Sequence, residues 1–211
     1  MMVSLLQVSG DGIDFDWEHL SQDPSIAQEQ ADTIAKVMYE LRKKLDASGM
    51  SDKQIGYTTR FNAFMNDSRD YGFGGFASDG EGLRVESWLE AHNSSLNDIV
   101  NWVNIMAYDV GPADMPNGQT WTLDVYKQML ATFTQNVDST KVVLGFEPGG
   151  QAAGGVWEGM EVDKQAISYV HDANIGGSMF WAINQPPYNS TENTGLNSDI
   201  LAKYTQEEFK E

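Results

Sequence analysis

The period of the apolar positions changes repeatedly along the chain. In Gly12–Trp17, Ile13, Phe15 and Trp17 alternate with Asp14 and Asp16, which predicts a strand with one apolar and one polar face. In Ser25–Leu45 the apolar residues Ile26, Ala31, Ile34, Val37, Met38, Leu41 and Leu45 recur at helical spacing, which predicts a long amphipathic helix. Further strands are predicted at Gln54–Phe61, Trp102–Tyr108, Val142–Phe146 and Gly177–Ile183. Helical patterns lie near Ser87–Asn97, Leu123–Gln135, Asp163–Ala173 and Ser198–Phe209. Strand therefore precedes helix about five times, at intervals of about 35 to 50 residues, the signature of parallel strands joined by helical crossovers. The expected fold is α/β, an α/β barrel or an open sheet. The Gly-rich stretch Tyr71–Gly82 reads as a long loop after the second strand.

Length adds a bound on size: 211 residues with 41% hydrophobic composition can bury one core, and no linker or repeat divides residues 1–211 into separate domains. Charge narrows the partners. Lys plus Arg number 13 against 31 Asp plus Glu, a net charge of −18, which repels phosphate backbones and anionic membrane surfaces. No apolar run approaches the roughly 20 residues that span a bilayer. The opening MMVSLLQV lacks a basic region and a small-residue cleavage site, so it does not read as a signal peptide. With no cysteine there is no disulfide or thiol chemistry to place. Glycosylation triplets begin at Asn66, Asn93 and Asn189, a pattern that is also common by chance.

The segment DGIDFDWE, residues 11–18, carries the chemistry. In an extended strand Asp14, Asp16 and Glu18 share one face, while Ile13, Phe15 and Trp17 share the other. If the apolar face packs under helices, three carboxylates face a barrel interior or a cleft, where they share protons as a general acid requires. Two plainer readings compete: a solvated acidic edge strand, and an oxygen-ligand cation site. An EF-hand loop starting at Asp14 needs Gly at its sixth position and Glu at its twelfth, and finds His19 and Ser25 there. Asp11 has the opposite parity and reads as a structural residue at the strand entry.

Asp11-x-x-Asp14-x-Asp16-x-Glu18 resembles the signature on the fourth barrel strand of family 18 glycoside hydrolases, the chitinase-like enzymes. Met106-Ala107-Tyr108-Asp109 resembles the Met-x-Tyr-Asp motif of their sixth strand, and Gly176–Trp181 resembles the eighth strand with its substrate-floor tryptophan. The order agrees, with one strand candidate in each gap. The resemblance implies a partial (β/α)8 barrel, strands four to eight, and substrate-assisted retaining hydrolysis of β-1,4-linked N-acetylglucosamine without a cofactor. It assigns Glu18 as acid and base, Asp16 as the partner of the acetamido N–H, Asp14 as sharer of a proton with Asp16, and Tyr108 as donor to the acetamido oxygen. Asp109 would reach sugar hydroxyls, Met106 would belong to the substrate-binding residues, and Trp181 would stack under the ring. Its ligands are chitin or N-acetylglucosamine oligosaccharides, and it implies a secreted protein. The alternatives are an endo-β-N-acetylglucosaminidase acting on N-glycans, a non-catalytic sugar-binding remnant, or a module that completes a barrel with another polypeptide.

Other candidates are looser. Glu147, in GFEPGG at the end of the penultimate strand, stands where barrel enzymes place functional residues. His19 reads as a loop residue. Phe64, Tyr71, Phe73, Phe76, Trp121, Trp157 and Tyr188 follow the strands, and on that rim aromatic rings serve pyranoses, although about half are expected only to pack loops down. Against about 250 residues for a whole barrel, the ten ahead of Asp11 leave no room for strands one to three. The expectation is a fragment, an internal start or a half-barrel, with LLQVSG as the tail of a preceding helix and with outer strands prone to self-association.

Overall fold

The computed structural model of the chain describes residues 10–18, 20–183 and 194–210. His19, Tyr188, Asn189 and residues 1–9, which hold all of LLQVSG except Gly10, lie outside them. Five strands form one parallel sheet in sequential order: β1 (Gly12–Asp16), β2 (Gln54–Arg60), β3 (Trp102–Met106), β4 (Val142–Phe146) and β5 (Gly177–Phe180). The helices between and after them are α1 (Pro24–Ala47), α2 (Glu81–Glu90), α3 (Leu96–Ile99), α4 (Leu123–Thr134), α5 (Met160–Asp172) and α6 (Thr194–Glu208). The sheet is an arc of a (β/α) barrel in which, among the described residues, β1 and β5 are edge strands.

Each expected strand exists; Val142–Phe146 has the expected bounds, and the other four end one to three residues earlier than the alternation predicts. α1 starts where the sequence says it should. Asp23 caps it, accepting from the Ser25 N–H at 2.9 Å, and Pro24 fills the first position, where its missing donor costs nothing. Its buried stripe is Ala27, Ala31, Ile34, Ala35, Met38, Leu41 and Leu45, so Ile26, assigned to the apolar face by spacing, stands 46% exposed. The helix expected near Ser87–Asn97 is corrected to two. α2 begins earlier, at Glu81 after the left-handed Gly80, and ends at Glu90; Asn93 turns the chain at φ 57, and Ser95 and Asp98 form a capping box that starts α3.

Outward-facing Ile55, Tyr57, Val103, Ile105, Val142, Leu144 and Phe146 are buried beneath the helices. Three of the expected rim aromatics belong to this core. Phe64, Phe73 and Trp121 are at most 4% exposed, because Phe61 gathers Phe73 and Trp121 at 4.8 and 5.5 Å and Phe64 packs edge-on against Phe133. Tyr71 and Phe76 are half-buried against the same cluster.

One acid sits inside the layer between sheet and helices. Glu81 is fully buried, accepts from the Tyr57 hydroxyl and from Thr59 Oγ1 at 3.2 Å, and keeps Oε2 without a hydrogen-bond partner. Desolvation raises its pKa from 4.5 to about 7, against the opposing hydrogen bonds. The folded state therefore holds a proton that the unfolded chain releases near pH 4.5. The contribution is fully present below that pH and is lost as pH rises through about 7. Denaturant unfolding should show wild type losing about 3 kcal/mol over this window relative to Glu81→Gln, which mimics the protonated acid. Parallel pH profiles for the two proteins would refute the assignment.

Candidate active site

The register carries the inner face of the sheet from strand to strand. Asp16 lies beside Thr58, then Asn104, Val143 and Gly177; one step onward Arg60 lies beside Met106, Gly145 and Met179. Beyond the strand ends this parity brings in Glu18, Tyr108, Glu147 and Trp181. Two glycines make the inner face passable. A Cβ on Gly56 would lie 2.0 Å from Asp14 Oδ1 and 2.3 Å from Trp102 Nε1, and one on Gly145 would lie 2.6 Å from the Met179 methyl. Asp14 and Met179 occupy the space that side chains at these positions would take.

A cleft of about 170 Å³ opens at the C-terminal ends of the strands, lined by Asp16, Glu18, Arg60, Met106, Tyr108, Asp109 and Trp181. Six of these seven are residues singled out in the sequence. Glu18 Oε2 is 3.4 Å from Arg60 Nη1, an ion pair whose side chains are 29% and 21% exposed. Tyr108 is 9% exposed. Burial pushes its hydroxyl pKa well up, and the charges of Glu147, Glu18, Asp16 and Asp109 add to the shift, so the phenol remains a proton donor at any physiological pH. Trp181 presents an indole that is 55% exposed, and its backbone N–H donates to the Phe146 carbonyl at 2.9 Å. Asp109 takes the left-handed conformation at φ 57 and accepts from the Ala153 N–H at 2.6 Å.

Asp14 stands one layer below. Its Oδ2 accepts from Thr58 Oγ1 at 2.7 Å, and Thr58 Oγ1 accepts from Asn104 Nδ2 at 2.9 Å, a polar chain across three strands. Glu147 is 2% exposed and does not line the cleft; it acts on the cleft through its charge on Tyr108. Trp157 is also apart. Its indole donates to Asp163 Oδ2 at 2.9 Å, within a group where Glu158 accepts from the Tyr126 hydroxyl and burial raises both acids. Among the described residues no cluster of three or more His, Cys, Asp or Glu side chains is arranged to hold a metal ion.

The sequence reading missed Arg60, Thr58 and Asn104. The signal was present for the first: Gly56, Thr58 and Arg60 share a parity, and Arg60 closes the strand at the end where barrel sites form. Which parity faces inward, however, is fixed only by pairing.

No protein-family model matches the sequence, and comparison with curated protein sequences finds no match. Solved structures do match in fold. The GH18 chitinase from Pseudoalteromonas aurantia aligns with a TM-score of 0.63 at 20% identity, over 96% of this chain and 64% of that one. Active domain 2 of the thermostable chitinase from Pyrococcus furiosus, solved with chito-oligosaccharides, aligns at 0.62 and 12% identity, over 100% and 65%. The class V chitinase from Nicotiana tobaccum, solved with NAG4, aligns at 0.58 and 14% identity, over 99% and 71%. The chain thus has a GH18 chitinase-like fold, and it spans less than two thirds of the length of the Pseudoalteromonas enzyme.

Thr58→Val keeps the shape of the side chain but leaves Asn104 Nδ2 without its acceptor and Asp14 without its donor. It should lower unfolding free energy by about 1–2 kcal/mol in urea melts. Unchanged stability would mean that solvent already satisfies these groups.

Proposed function

We propose that this chain is the catalytic part of a glycoside hydrolase that cleaves β-1,4-linked N-acetylglucosamine oligomers by a substrate-assisted, retaining mechanism. The observation that carries the reading is the convergence of Asp16, Glu18, Met106, Tyr108, Asp109 and Trp181 on one cleft at the C-terminal ends of the strands. The resemblance of the signature in residues 11–18 and the chitinase-like fold support the same reading.

Glu18 protonates the oxygen of the leaving sugar. The acetamido oxygen of the sugar on the other side of the bond attacks its own anomeric carbon, and an oxazolinium ion forms as the glycosidic bond breaks. Glu18, now a carboxylate, takes a proton from the water that opens this ring and so returns to its starting state. Asp16 accepts from the acetamido N–H and stabilises the positive charge that develops there, and Asp14, tied to Thr58, shares a proton with Asp16 as it turns. Tyr108, kept neutral by burial and by the surrounding acids, donates to the acetamido oxygen and holds it in line. Trp181 supplies an exposed flat face for the ring, and Asp109 accepts from sugar hydroxyls.

The reading is tested with a fluorogenic chitobioside or chitotrioside. Glu18→Gln should keep the fold and much of the sugar affinity while lowering turnover by roughly 10²-fold or more. Cello-oligosaccharides, which lack the acetamido group, should not be cleaved, and a thiazoline analogue of the oxazolinium should inhibit. Near wild-type turnover by Glu18→Gln would sink the mechanism, and comparable cleavage of cellotriose would point to an ordinary two-carboxylate glycosidase.

A further inference from the structure

We propose that Gln151 is a positioning residue that fixes Asp109 in the cleft; its catalytic consequence rests on the hydrolase reading above. Asp109 lines the cleft, yet its backbone sits at φ 57, where a residue other than glycine stays only when its surroundings hold it. Two hydrogen bonds from one loop do the holding. The Asp109 N–H donates to Gln151 Oε1 at 3.0 Å, and Asp109 Oδ1 accepts from the Ala153 N–H at 2.6 Å.

Gln151 is itself 8% exposed and anchored. Its Nε2 donates to the backbone carbonyl of Glu147, and Glu147 Oε1 accepts from the Ala152 N–H at 3.0 Å. One primary amide thus spans from the end of β3 to the end of β4, accepting at one end and donating at the other. The seat is shaped for it: a Cβ on Gly155 would lie 2.8 Å from Gln151 Oε1 and 3.0 Å from its Cγ. Only an amide of this length does both jobs. Glutamate would set a carboxylate oxygen against the Glu147 carbonyl, and asparagine is one methylene short.

Gln151 is not among the residues lining the cleft, and the cleft residue it bonds directly is Asp109. A displacement on the order of 1 Å at such a contact is enough to cost up to about 10²-fold in rate. Gln151→Met, which keeps the volume and removes both polar functions, should lower kcat/KM on a chitotrioside about tenfold or more.

A double-mutant cycle with Asp109→Asn separates positioning from general destabilisation. With Asp109 already changed, adding Gln151→Met should cost no more than about twofold further, because the two changes remove one shared function. Losses that multiply would overturn the proposal. A second readout is independent of turnover: amide hydrogen exchange at Asp109 should be about tenfold faster or more in Gln151→Met. Equal exchange in the two proteins would also overturn it. Should Gln151→Met fail to fold, Gln151→Leu, which likewise removes both polar functions, is read by the same two criteria. Wild-type protein that binds chitotriose but turns over none of its glycosides would refute the hydrolase reading and the catalytic consequence with it, while exchange at Asp109 still decides whether Gln151 holds that residue.

Discussion

Parallel pairing of β2 with its two neighbours is the interaction on which the rest of the structure depends. Gly56, Thr58 and Arg60 lie beside Trp102, Asn104 and Met106 on one side, and Asp14 and Asp16 lie beside Gly56 and Thr58 on the other. With side chains alternating across the sheet, that register decides both faces together. It buries Ile55 and Tyr57 under the helices and leaves the polar residues of the opposite parity on the inner face. A slip of one residue would put Asp16 into the apolar layer and Phe15 into the cleft, so hydrophobic burial enforces the same register that assembles the site.

The layer beneath the helices tolerates few polar groups. Glu81 is held by Tyr57 and Thr59, at the cost of a raised pKa and a pH-dependent fold. On the inner face the same physics acts differently. Partly open to solvent, the carboxylates there are met by Arg60, by Thr58 and by backbone N–H groups, while the phenol of Tyr108, buried and ringed by acids, is the group that keeps its proton. The cleft thus combines carboxylates, a neutral donor and an exposed indole. It suits an anionic ligand poorly, in line with the net charge of −18.

Strands and helices were legible because their periods are local properties of the chain. The alternation in Gly12–Trp17 and the heptad-like stripe of α1 gave elements close to those observed. The helix expected near Ser87–Asn97 was displaced because Glu81 and Gly82 look like loop residues in sequence, whereas Gly80 in the left-handed conformation starts the helix there and Phe64 packs on Gly82. Several of the rim aromatics pack loops down, as was expected of about half of them. Loops over a barrel end need their own core, and Phe64, Phe73 and Trp121 supply it.

The sequence by itself determined the parity of the three carboxylates, the helix-forming segments and the order of the motifs, because each depends on neighbours within a few residues. Only the tertiary structure decided which of the candidates meet. Glu18, Tyr108 and Trp181 are far apart in the chain and come together because parallel strands align their C-terminal ends. Glu147 and Trp157 follow the same strand yet fall outside the cleft: one is buried beside Tyr108, and the other is tied to Asp163 at the start of α5. Arg60 enters it because pairing turns its parity inward. Local spacing fixes which side of its own strand a residue occupies; the register and the loop contacts between strands, which no single segment encodes, fix what it touches.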